Sequence, residues 1–150
     1  MARKKCKSVA RIYHGSKDPL VLSNLDAVKD WGYAKDYVTG IWMMLQQDYP
    51  DDFVLGTGES HTVRDFLETA FNEIGITLKW IGSGLNKVGL SNGETMVKVS
   101  KVFYMPLESD NYKADYSKAK KKLKWEPKTK FRDLVRIMVE NDLKLYENRC

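Results

Sequence analysis

Cysteine is scarce in this chain: Cys6 and Cys150 stand near opposite ends of its 150 residues. They make neither a Cys-x-x-Cys pair nor a disulfide framework, which fits a reducing compartment. Long apolar runs are missing too. The longest, near Ile41 to Leu45, is far too short for a membrane span. No charged-then-apolar leader opens the sequence, so a cytoplasmic setting is expected and membrane attachment is not. Histidine occurs only as His14 and His61, without paired cysteines or ligand spacing, which argues against a zinc site. Ser60-His61 lacks a nucleophile elbow and an orienting acid, so no hydrolase triad is expected there. No Gly-x-x-Gly-x-x-Gly follows a strand candidate, so the turn that cradles a dinucleotide pyrophosphate is absent. Internal repeats and long disordered linkers are also lacking.

What remains is the composition of a globular protein. Hydrophobic content of 43% and charged content of 30% are ordinary, and the length suffices for one domain with a core. A net charge of +5 and a pI near 9.1 suit a polyanionic partner, with diphosphate ligands and nucleic acid both qualifying.

Periodicity predicts alternating helices and short strands. Ala2, Cys6, Val9 and Tyr13 share a helical face, with Lys4, Lys5, Lys7 and Arg11 around the rest and Gly15 as a stop. Leu20 to Leu22 is a short strand candidate. A helix over about 34–47 carries Val38, Ile41, Trp42 and Leu45 as a buried stripe. Phe53-Val54-Leu55 reads as a buried strand before Gly56-Thr57-Gly58. Thr62 caps a third helix with Asp65 in a capping-box position, its core face running from Val63 to Ile74. Strands are expected at 77–80 and 96–99, separated by a glycine- and asparagine-rich loop, 82–93. A lysine-rich helix at about 117–123 ends at Trp125-Glu126-Pro127. Thr129 is expected to cap a last helix, 131–146, with Phe131, Leu134, Val135, Met138 and Leu145 inward.

The segment Asn24-Leu-Asp-Ala-Val-Lys29-Asp-Trp-Gly-Tyr-Ala-Lys-Asp-Tyr-Val38 closely resembles the GDP-mannose 4,6-dehydratases, members of the extended short-chain dehydrogenase/reductase group. The likeness extends along the chain. It includes Arg3-Lys4 with Val9-Ala10-Arg11-Ile12, Thr57-Gly58-Glu59-x-His61-x-Val63-Arg64 and Pro106-x-Glu108-x-Asp110. It closes on Asp115-x-x-Lys118-Ala119-Lys120-x-x-Leu123-x-Trp125-x-Pro127. Several motifs in order make the resemblance specific. The matching region is only the family's C-terminal portion.

The resemblance implies an α/β fold. It would be the C-terminal part of a Rossmann-type extended short-chain dehydrogenase, with an incomplete parallel sheet and a small, mostly helical substrate domain. Residues 1–58 would be the remnant of the nucleotide-binding domain with the substrate-loop helix, and 59–150 the substrate-binding domain. The family reaction converts GDP-mannose to GDP-4-dehydro-6-deoxy-mannose with NADP. Its Tyr-x-x-x-Lys pair, Thr and Glu lie N-terminal to the matched region. The pair is read as missing here, since neither Tyr33 with Lys35 nor Tyr112 with Tyr116 supplies it. No catalytic, cofactor or metal residue is therefore expected in this chain, and NADP is not expected to bind it alone. The implied role is the GDP-mannose-binding portion of a dehydratase, catalytically incomplete by itself. The alternative is a non-catalytic remnant acting as an interaction or regulatory subunit.

Three implied substrate residues follow from the motif. Lys4 matches a lysine associated with the GDP-sugar, an ammonium suited to a diphosphate. Lys29 stands where the family has arginine, keeping the charge but losing the planar fork. Glu108 matches a glutamate able to accept hydrogen bonds from ribose hydroxyls. Met105 replaces a second arginine, and losing one charge-assisted hydrogen bond should cost about 1.5–3 kcal/mol. Lys118 to Lys124 and Lys128 to Lys130 form the strongest basic run. It reads as a solvated helix face, and the tryptophans do not interleave as a stacking platform for nucleic acid. The fold implied by the resemblance also predicts that the Val38/Trp42 stripe lies uncovered without the N-terminal strands. Pairing with the N-terminal half of a dehydratase, self-association, or origin as a fragment of a longer product would each resolve that.

Overall fold

The computed structural model describes residues 2–102 and 113–148. Five helices are formed among them: α1 (Ala2–Tyr13), α2 (Ala34–Leu45), α3 (Val63–Asn72), α4 (Ser117–Leu123) and α5 (Phe131–Glu147). Six short strands accompany them: β1 (Leu20–Leu22), β2 (Val28–Lys29), β3 (His61–Thr62), β4 (Lys79–Ile81), β5 (Val88–Ser91) and β6 (Glu94–Val99). The α/β class is as expected. The larger sheet has the order β1-β6-β5-β4 and is mixed: β1 runs parallel to β6, while β6, β5 and β4 are antiparallel neighbours. β2 pairs with β3.

The described chain forms two compact units, each assembled from separated segments: residues 2–27, 62–102 and 135–148 in one, 28–61 and 113–134 in the other. In the first unit, α1 buries Cys6, Val9, Ala10 and Ile12 beside Phe66, Leu67, Ala70 and Phe71 of α3. The Thr62 capping box forms in full. Thr62 Oγ1 accepts from the Asp65 amide at 2.9 Å, and Asp65 Oδ2 accepts from the Thr62 amide at 2.8 Å. Gly15, at φ +93°, ends α1 as its amide donates to the Ile12 carbonyl and that of Ser16 to Arg11.

Several expectations of local structure are corrected. The 82–93 loop contains strand β5, because Asn92 (φ 49°) and Gly93 (φ 80°) make a two-residue hairpin turn into β6. Phe53-Val54-Leu55 forms no ladder with any described strand; Leu55 instead lies against Gly40 and Val54 is exposed. On α1 the buried face includes Lys5, whose ammonium lies 5.4 Å from the Phe66 ring centroid, while Tyr13 is exposed. On α5 the inward set is Phe131, Leu134, Val135 and Val139, with Leu145 exposed, because burial follows the i, i+3/i+4 row through 135 and 139.

In the second unit, α2 turns Tyr37, Met43 and Met44 onto a cluster of Ala119, Leu123 and Trp125. Gly40 is required at the closest approach: a Cβ there would meet Leu55 at 2.8 Å and the Trp125 indole nitrogen at 2.9 Å. The stripe read as buried is open. Val38, Ile41, Trp42 and Leu45 are 64%, 52%, 60% and 76% exposed.

Candidate functional site

The outward face of α1 carries the chemistry of the first unit. With Cys6, Val9, Ala10 and Ile12 turned inward, helical spacing places Arg3, Lys4, Lys7, Ser8 and Arg11 on the opposite side. These five, with Asp142, Leu145 and Tyr146 of α5, line an open groove of about 520 Å³. Arg11 is held in place by Asp18, donating to its carboxylate and its backbone carbonyl at 3.1 Å each. The Tyr146 ring stacks on His14 at 4.8 Å between centroids and 13° between planes, giving the α5 side of the groove an anchored aromatic. Asp142 is buried, and desolvation pushes its carboxyl above the ordinary aspartate range, with Arg3 and Lys7 opposing the rise. Arg3, Lys4 and Lys7, beside the Asp18-paired Arg11, thus outnumber the one carboxylate lining the groove, Asp142, which makes the groove attractive to anions. Burial also pushes the Cys6 thiol up to about 12, so it is an inert core group rather than a nucleophile.

Lys4 belongs to this groove. Lys29 lies half-buried on β2 in the second unit. Glu108 and Met105 lie outside the described residues. Arg3, Ser8, Asp142 and Tyr146 were missed as candidate site residues. The signal for Arg3, with Lys7 and Arg11, was present: cations at i, i+4 and i+8 opposite an apolar stripe. Asp142 and Tyr146 join only through the packing of α5 on α1.

The residues following Lys29 organise the backbone. The Asp30 carboxylate accepts from the amides of Thr57 (3.0 Å), Gly58 (3.1 Å) and Ala114 (3.2 Å) and from the Thr57 hydroxyl (2.6 Å). Trp31 donates its indole N–H to the His61 carbonyl at 3.2 Å. Asp36 accepts from the amides of Lys128 and Thr129. In the first unit, Asp26 binds Lys87 at 2.8 Å and also Arg64. The polar letters of the segment from Asn24 to Val38 are therefore largely spent on holding loops.

That arrangement tests the chain against a dinucleotide. The Gly56-Thr57-Gly58 turn is its nearest approach to a phosphate-binding loop. Two amides of that turn already donate to Asp30, and a Cβ on Gly56 would strike Ala114 Cβ at 2.1 Å. The turn is filled by the chain's own groups and does not fit a pyrophosphate.

The reading that Tyr-x-x-x-Lys is missing is corrected: the spacing occurs twice, at Tyr13 with Lys17 and at Tyr116 with Lys120. Neither pair is built for proton transfer. Lys17 is ion-paired with Glu94 and Lys120 with Glu126 at 2.7 Å, while the Tyr116 ring packs edge-on against Trp125. The basic run is likewise engaged. Lys118 and Lys122 both hold Asp51, and Lys130 holds Glu59 at 2.8 Å. Among the described residues no group of three potential metal ligands converges, and no helix is long and apolar enough to cross a membrane.

Comparison with solved structures finds this fold in two proteins solved with a nicotinamide dinucleotide. The chain superposes on RMD from Pseudomonas aeruginosa complexed with NADPH with a TM-score of 0.76 at 11% identity, covering 96% of this chain and 42% of that one. It superposes on dTDP-glucose 4,6-dehydratase from Bacillus anthracis in complex with NAD with a TM-score of 0.67 at 19% identity, covering 93% and 39%. Sequence narrows the class. The family model described as GDP-mannose 4,6 dehydratase matches residues 1–138, and the chain belongs to that family. The GDP-mannose 4,6 dehydratases of Cricetulus griseus and Homo sapiens are each 48% identical over 147 residues, and that of Dictyostelium discoideum is 43% identical over 150. These matches cover 97–99% of this chain, which spans only 40–42% of the length of those relatives.

Proposed function

We propose that this chain supplies the GDP-mannose-binding portion of a GDP-mannose 4,6-dehydratase, an NADP-dependent lyase, and is catalytically incomplete by itself. The observation that carries the reading is the α1 groove, where Lys4 sits among Arg3, Lys7 and Arg11. A diphosphate presents charge to several donors at once, and charge-assisted hydrogen bonds are about twice as strong as neutral ones. Lys4 binds the diphosphate, with Lys29 and Glu108 as further contacts to the nucleotide sugar. Residues 1–58 correspond to part of the nucleotide-binding domain and 59–150 to the substrate domain. NADP and the proton-transfer groups belong to protein outside this chain's matched portion. The two isolated cysteines support a cytoplasmic setting.

Calorimetric titration of the chain with GDP-mannose, GDP and mannose tests this. GDP-mannose and GDP should bind and mannose should not, and Lys4→Ala should weaken both ligands. Equal binding of all three, or none, would refute the assignment. The chain alone should release no 4-dehydro sugar when supplied with NADP.

A further inference from the structure

The groove on α1 changes character along its length. Arg3, Lys4 and Lys7 stand toward the start of the helix, with Asp142 of α5 within electrostatic reach of Arg3 and Lys7. Tyr146, about one turn further along α5, lies just past the other end of α1, where its ring stacks on His14. Arg11 at that end is already paired with Asp18. His14 is itself flanked by Tyr13, edge-on at 5.3 Å and 87°. Tyr146 is half-buried, so its ring is a supported flat surface rather than a freely turning side chain. From Lys4 to His14 the axis of α1 rises about 15 Å at about 1.5 Å per residue, the scale of a nucleoside diphosphate laid lengthwise. A diphosphate on the three cations makes no use of Tyr146.

We infer that Tyr146 is the base-stacking residue of this groove. It takes the nucleobase of the nucleoside diphosphate whose phosphates lie on Arg3, Lys4 and Lys7, and His14 is the positioning residue that presents its ring. The inference rests on the nucleotide-sugar reading above. One face of the Tyr146 ring is taken by His14, and the base stacks on the other. The ligand then lies along α1 with its base at the far end of the helix, and its sugar leaves the groove beside Arg3 and Lys4. Every base has a π-face, so stacking is tolerant of base identity. The contact therefore selects a nucleotide over inorganic diphosphate, a distinction that the cations cannot make, because both ligands offer them the same phosphate oxygens.

Calorimetric titration of the 150-residue chain with GDP and with inorganic pyrophosphate tests this. Tyr146→Ala should weaken GDP about fivefold or more and leave pyrophosphate unchanged. Tyr146→Phe should keep the parent affinity for both. His14→Ala should cause part of the GDP loss, and His14→Phe, which keeps a flat ring under Tyr146, should restore it. Tyr49→Ala, at an exposed ring of the other unit, should change neither ligand. A merely structural role for Tyr146 would weaken the two ligands together. Should Tyr146→Ala fail to fold, the parent chain carries the test: ring current should move the H8 proton resonance of GDP upfield on binding. Equal losses for GDP and pyrophosphate, GDP binding indifferent to Tyr146→Ala, or an unshifted H8 would overturn the inference. GDP binding that Lys4→Ala weakens and Tyr146→Ala does not would refute the stacking alone. GDP binding that Tyr146→Ala weakens and Lys4→Ala does not would refute only the diphosphate assignment of Lys4 in the proposed function.

Discussion

At the scale of single residues, charge and burial separate site groups from fold groups. Removing Lys4 takes one charge-assisted contact from a diphosphate. Lys4→Ala should therefore weaken GDP-mannose binding by about 1.5–3 kcal/mol, roughly tenfold or more, in a titration at fixed salt. Lys29→Arg restores a planar fork and should tighten binding if Lys29 touches the nucleotide sugar; an unchanged affinity would remove it from the site. Asp142 gives a pH signature. Its folded-state pKa is raised, so the folded protein holds this proton more tightly than the unfolded chain does. The stabilisation is complete below the unfolded aspartate range and is lost as pH rises through the folded value. Anion binding in the groove should tighten over the same fall in pH as the carboxylate is neutralised. Asp142→Asn should flatten both dependences, measured by titration and by thermal melts across pH.

Elements show where local chemistry sufficed. The start of α3 was legible because Thr62 and Asp65 satisfy each other's amides without help from distant residues. Thr62→Ala should cost about 1 kcal/mol, read as a lowered midpoint in urea with unchanged slope. The end of α1 was legible from Gly15 for the same local reason. Helix α2 shows the opposite case. Its period predicted the helix, but α2 carries apolar residues on two faces, and periodicity cannot say which of them finds a partner. Gly40→Ala should loosen α2 from Trp125 and Leu55, since the new methyl has no room. The variant should melt earlier than the parent and increase Trp125 fluorescence quenching by solvent.

For the whole molecule, exposed carboxylates paired with lysines add a small acid dependence. Lys118 and Lys122 hold Asp51 well below the usual carboxylate range by hydrogen bonding. Lys130 lowers Glu59 and Lys120 lowers Glu126, again chiefly through hydrogen bonds. Depressed folded-state values stabilise the protein above the unfolded carboxylate range, and that stability is lost as pH falls through the folded values. These pairs are exposed, so each contributes little and salt should screen them. Melting temperature should fall as pH drops below about 4, opposite in sign to the Asp142 effect, and the fall should be shallower in Asp51→Asn and at high salt.

The sequence alone determined the family, the α/β class, most helices and the Thr62–Asp65 cap of α3, because motifs, periodicity and caps depend on residues close together in the chain. It also exposed the lack of a glycine-rich phosphate turn. Only the tertiary structure decided that β5 exists, that Lys5 is buried while Arg3, Lys7, Asp142 and Tyr146 join Lys4 at one groove, and that Asp30 and Asp36 hold loops. It showed the outer face of α2 standing open, which the helical period read as buried and the fold implied by the resemblance read as uncovered. Those outcomes depend on which distant segment packs on which face, and the period of a helix carries no record of its neighbours.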